Sequence, residues 1–131
     1  MFAVFGGDYM KYEDVNKELL IKFPDFLIDD DDFELPYIVA GNFQRFLLDS
    51  YNNGEEETYK KGLHFIEELH LSDCDKVREL ATIGYLESFF DWSDKDILSN
   101  DLGSESKKWW LELNLFWCGK IGYVGESFKQ T

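Results

Sequence analysis

The sequence predicts an all-α fold, a single compact bundle of about five helices that includes one antiparallel helical hairpin. Helix punctuation recurs along the chain: prolines where helices stop or start, glycines where they end, acids in first turns. Alternating runs of apolar and polar β-branched residues are nearly absent, so no segment reads as a half-buried strand.

The first helix is expected from about Lys11 to Phe23, with Val15, Leu19 and Lys22 on one side, Leu20 and Phe23 beside them, and Pro24 as its stop. Residues Asp25 to Leu35 form a loop. Pro36 suits the first turn of a second helix, where its missing N–H is no loss. Tyr37, Val39, Ala40, Phe43, Phe46, Leu47 and Tyr51 then recur at helical spacing up to Asn52, Asn53 and Gly54. Glu55, Glu56 and Glu57 favour the positive end of a third helix, which carries Tyr59, Leu63, Ile66 and Leu69 and stops near Leu71.

Ser72 or Asp73 can cap a fourth helix, reaching to about Trp92. Its stripe comprises Val77, Leu80, Ala81, Gly84 and Tyr85, widened by Leu86, Phe89 and Phe90, and Gly84 suits close packing. The very short connection between helices three and four makes them an antiparallel hairpin. The hairpin is like one unit of a HEAT-like repeat, but no second copy follows at the expected period. Ser93 to Leu102 reads as a short capped turn of helix followed by a glycine-containing loop. Ser104 starts a last helix to about Lys120, whose Trp109, Trp110, Leu111, Leu113, Leu115, Phe116 and Trp117 surround it as expected of a central element. Residues Ile121 to Thr131 are expected to be irregular or briefly extended.

No inter-domain linker interrupts residues 1–131, which are expected to form one domain. Hydrophobic residues make up 44% of the chain, enough apolar surface to offset chain entropy despite its acidity. No apolar run approaches the roughly 20 residues that span a bilayer. Met1 to Tyr9 lacks the basic start and long apolar stretch of a signal peptide, so the expected location is cytoplasmic. Cys74 and Cys118 show neither CxxC nor Cys/His metal spacing and are expected to be reduced thiols.

Charge is the most informative quantity. With 27 acidic and 13 basic residues the formal net charge is −14, a field that attracts neither nucleic acid nor anionic membrane. It is concentrated between Asp25 and Glu57, where ten acids face one base, Arg45, for a local charge of −9.

Catalytic patterns are sparse. Nucleophile chemistry needs a base, and only His64 and His70 are available, with Cys74 near His70 in sequence. His64 lies near Glu67 and Glu68 on a helix face, but the string is not HExxH and His70 turns away from it. Asp29 to Asp32 lack the alternation, central glycine and terminal glutamate of an EF-hand loop. Gly6-Gly7 lacks the Lys-Ser/Thr of a phosphate loop. No catalytic residue, metal or cofactor is therefore expected.

The acidic clusters remain, together with the aromatics beside them. Solubility and helix capping account for any single cluster, whereas consecutive aspartates oppose folding and are easier to understand against a cationic surface. The expected partner-binding residues are Asp29, Asp30, Asp31, Asp32, Glu34, Tyr51, Glu55, Glu56, Glu57, Tyr59, Glu87, Asp91, Trp92 and Asp94, aromatic anchors among complementary charge.

The stretch Tyr59 to Phe90 resembles small bacterial immunity proteins of polymorphic-toxin systems, including contact-dependent growth inhibition. The resemblance rests on Phe65-Ile66-Glu67-Glu68-Leu69, the turn Ser72-Asp73, and the run Val77 to Glu87. It covers about a quarter of the chain and implies a cytosolic inhibitor that neutralises a cognate toxin protein, with no catalytic residues to carry over. A basic, nuclease-type toxin domain suits the acidic surface. Two other readings stay open: a nucleic-acid mimic or antitoxin-like regulator of a basic DNA-binding protein, and a metal or thiol enzyme using His64, His70 and Cys74.

Overall fold

The structure is a computed structural model that describes residues 10–129. The Gly6-Gly7 pair lies outside the described residues. Among the described residues the fold is all-helical, with six helices rather than five. They are α1 (Val15–Lys22), α2 (Pro36–Asn52), α3 (Glu56–His70), α4 (starting as Asp75–Glu79), α5 (Lys95–Asp101) and α6 (Ser104–Trp117). None is long and apolar enough to cross a membrane.

Local chemistry sets most of the boundaries. A short 3₁₀ turn at Tyr12–Asp14 leads into α1, and Pro24 follows its last turn. Pro36 occupies the first turn of α2, and the helix ends before Gly54, whose φ of 80° is the left-handed conformation glycine tolerates best. Glu56 and Glu57 stand in the first turn of α3. The α4 start differs from expectation: Cys74 is the N-cap residue, and the Ser72 hydroxyl accepts the Cys74 N–H one step earlier, at 3.0 Å. The loop Asp25 to Leu35 holds one 3₁₀ turn, Asp30–Asp32.

The largest departure is in α4. Its α-helical start passes into a π-helical segment, Leu80–Leu86, and then a 3₁₀ turn, Glu87–Phe89. The Glu87 N–H reaches five residues back to the Thr82 carbonyl. Leu80, Ala81, Thr82, Gly84, Tyr85 and Leu86 are all buried, so this widened segment is enclosed on nearly every side. Close approach requires Gly84, because a Cβ there would lie 2.8 Å from Leu80 and 3.3 Å from the Ala40 methyl on α2. The central element is thus the π segment and not α6. Helix α6 ends at Trp117 and buries Trp110 and Leu113, while Leu111 and Phe116 face outward. Its aromatic content on every side serves two separate contacts: Trp109 meets the tail through Phe128, at 4.8 Å between centroids, and Trp117 meets Phe90, at 3.7 Å.

The core is aromatic at its middle. Phe43 of α2 meets Phe23 at 4.9 Å, Phe26 at 5.2 Å and Tyr85 of the π segment at 6.0 Å, mostly edge to face. Such pairs each contribute about 0.5–1.5 kcal/mol beyond area burial. Helix α4 packs back along α3 after the turn at residues 71–74, in keeping with the expected hairpin. Among the described residues the tail is irregular over 121–125, as one of the two expectations had it, and is followed by a 3₁₀ turn, Glu126–Lys129. The buried Glu112 carboxylate accepts the N–H of Gly125 at 2.9 Å and of Ser127 at 3.3 Å, binding the tail to α6.

Candidate partner-binding surface

The loop between the two prolines shows what a surface of this sequence can offer. Helix α1 holds it from beneath, where the Asn16 side-chain amide donates to the Phe33 carbonyl at 2.6 Å. Asp29, Asp30, Asp31 and Glu34 are exposed and Asp32 is half-buried, and none of them forms an ion pair among the described residues. Apolar side chains flank them on both sides in the sequence. Leu27 is 84% exposed, and Phe33, Leu35, Tyr37 and Ile38 are 37–50% exposed. Five of the large exposed apolar side chains thus fall within residues 27–38, beside carboxylates with no ion pair among the described residues, while others, such as Ile21, Leu71 and Leu111, lie elsewhere in the chain.

The other expected contact residues divide between surface and interior. Glu55, Glu56 and Glu57 are exposed at the start of α3, with Glu56 3.8 Å from Lys60. Glu55 shares a hollow with Asp25, Lys22 and Lys61, so local lysines offset part of its charge. Glu87 is half-buried, and Asp91 and Asp94 are exposed. The three aromatics chosen as anchors pack on one another: Tyr51 lies 5.0 Å from Tyr59 and 5.2 Å from Trp92. Tyr59 and Trp92 are buried, and burial pushes the Tyr59 phenol pKa up, with the Asp101 carboxylate adding to the shift. This trio belongs to the packing between α2, α3 and the 89–92 turn. Trp92 also lines a surface groove, beside Arg45 and Asp91. Sequence reasoning missed the exposed Leu27, Leu35 and Ile38, and it noted Phe33 and Tyr37 beside the acids without placing them among the contact residues. The available signal for Leu27, Phe33 and Leu35 was that residues 25–35 carry apolar groups fitting no helical period; Tyr37 and Ile38 lie in the first turn of α2 and gave none.

The histidines part company. His64 is exposed, 4.0 Å from Glu68 on the next turn of α3. His70 is buried at the end of α3, with Nδ1 2.8 Å from the Ser106 hydroxyl and Nε2 2.9 Å from the Thr82 hydroxyl. Thr82 donates its own proton to the Arg78 carbonyl at 3.2 Å, so it accepts from Nε2–H, and Ser106 donates to Nδ1. A neutral imidazole completes this chain. Burial accordingly lowers the His70 pKa to about 4, against the opposing pull of Glu67 and Glu105. Both ring nitrogens are occupied, leaving none to activate Cys74. Among the described residues, no three metal-ligating side chains converge.

Next to this network the Glu67 carboxylate crosses from α3 to the start of α6, accepting the N–H of Glu105 at 3.1 Å and of Ser106 at 2.8 Å. It caps a helix from outside that helix. Gly103 makes room, since a Cβ there would lie 2.5 Å from the carboxyl group.

No curated protein and no solved structure matches the chain. One family model does match, over residues 16–118, which takes in α1 through α6. The chain belongs to the family described as Domain of unknown function (DUF7674).

Proposed function

We propose that this protein is an immunity-type inhibitor, which binds a basic toxin domain and acts by binding rather than catalysis. The observation that carries the proposal is the face from Asp25 to Ile38, where exposed apolar side chains lie among carboxylates with no ion-pair partner in the described chain. Complementary charge speeds encounter and apolar anchors slow release, so this combination suits a tight protein partner of opposite charge. The toxin as partner comes from the resemblance of residues 59–90 to immunity proteins. A cytoplasmic setting, with neither nucleic acid nor membrane as ligand, is part of the same proposal.

The test is capture from the native cell with the tagged chain, beside a variant carrying Leu27→Gln and Ile38→Gln. A basic protein recovered in 1:1 ratio by the parent and lost from the variant is the expected outcome. Equal recovery by both would reject this face as the contact.

A further inference from the structure

A second feature of the surface is a cleft of about 430 Å³ between α4, α6 and the tail, lined by Arg78, Glu79, Thr82, Ile83, Trp109 and Val124. Its size falls within the range of ligand pockets, and its wall includes part of a π-helical segment, a feature frequent at functional sites. The lining is mostly apolar, with Ile83, Trp109 and Val124 among its residues. Trp109 lies parallel to the buried His70 ring, with centroids 6.4 Å apart, and His70 is fixed by hydrogen bonds at both nitrogens.

The charge inside the cleft has a definite sign. Arg78 is committed within the chain, to the Ser72 carbonyl and the Asp75 carboxylate, so those two charges offset one another. Glu79 has no ion pair among the described residues and leaves the cleft net negative. The Glu79 charge, after burial, also helps push the Tyr12 and Tyr37 phenol pKa values up. A mostly apolar lining with an indole ring and one uncompensated carboxylate suits a long apolar stem ending in a planar cation. Guanidinium meets these demands better than ammonium, because it stacks on aromatic rings and donates through a planar fork.

We propose that this cleft receives one arginine side chain of a protein partner, its stem along Ile83 and Val124, its guanidinium against Trp109 and donating to Glu79. That the arginine belongs to a basic partner rests on the proposed function; the cleft's preference for the group does not.

The experiment is a nuclear magnetic resonance titration of the full chain with Nα-acetyl-arginine methylamide, beside the citrulline analogue, which has the same shape without the charge. The expected result is a saturable shift of the Trp109 indole N–H and the Ile83 and Val124 methyls, with citrulline about tenfold weaker. Glu79→Gln should reduce arginine binding to the citrulline level while resonances away from the cleft stay in place. Absence of saturation, equal binding of citrulline, or unchanged binding by Glu79→Gln would each overturn the proposal. The probe is an amino-acid amide, so its failure leaves the partner-binding reading standing, and loss of the partner in the capture experiment leaves the cleft's chemistry intact.

Discussion

His70 shows how much one side chain can organise here. Its two nitrogens link α3 to α4 through Thr82 and to α6 through Ser106, and in the neutral ring Nε2–H donates to Thr82 while Nδ1 accepts from Ser106. Burial holds its pKa near 4, whereas an ordinary histidine titrates near 6.5. Between those values the unfolded chain takes up a proton that the folded chain refuses. This contribution to stability is therefore complete above pH 6.5 and is lost as pH falls toward 4, at up to about 1.4 kcal/mol per pH unit. Urea unfolding across this range should show the decline in the parent protein, and His70→Gln should remove this part of the slope. A parallel decline in both proteins would mean that other groups carry it. In the sequence His70 was legible only as a helix-end histidine turned away from His64, because its partners lie 12 and 36 residues away.

At the scale of elements, what the sequence revealed depended on whether the cause was local. Pro36 and Gly54 bound α2 by backbone chemistry within a residue or two, and Glu56 and Glu57 mark α3 in the same way. The π segment was not legible, since the stripe Val77, Leu80, Ala81, Gly84 and Tyr85 fits a regular helix equally well; the widening accompanies burial of six of its seven residues. Helix α6 was misplaced at the centre because apolar composition does not distinguish core from contacts at the rim. The start of α6 depends on a partner distant in sequence. Glu67→Ala should uncap it and lower stability by about 1 kcal/mol. Gly103→Ala should cost a comparable amount, because its Cβ occupies the space of the carboxyl group. Thermal melts of the two single variants and the double variant provide the check: non-additive losses are expected, and fully additive losses would show that the two positions act separately.

For the whole molecule, charge was the property most legible in advance, and its role depends on where apolar groups accompany it. Asp29, Asp30, Asp31, Glu34, Glu55, Glu56, Glu57, Asp91 and Asp94 are exposed, whereas Asp32 and Glu87 are half-buried, and the aromatics expected as anchors, Tyr51, Tyr59 and Trp92, pack together where α3 meets the 89–92 turn. Beside the Asp29–Asp32 run the exposed apolar groups are Leu27, Phe33, Leu35, Tyr37 and Ile38. Side chains so exposed contribute little to the fold, so the Leu27→Gln and Ile38→Gln variant should keep its unfolding free energy within about 0.5 kcal/mol per substitution. In binding to the captured partner it should dissociate faster, as surface plasmon resonance would read; an unfolding loss well beyond that figure would place these residues in the core.

Under the proposed function, the acids of the segment from Asp25 to Ile38 that have no ion pair among the described residues steer a basic partner onto it. The most direct measurement is the association rate of the captured partner at low and high salt, for the parent chain and for a variant with Asp29, Asp30, Asp31 and Asp32 all changed to asparagine. The parent rate should fall as salt rises, and the variant should associate more slowly at low salt with a weaker salt dependence. Equal rates for both proteins at both salt concentrations would contradict the claim.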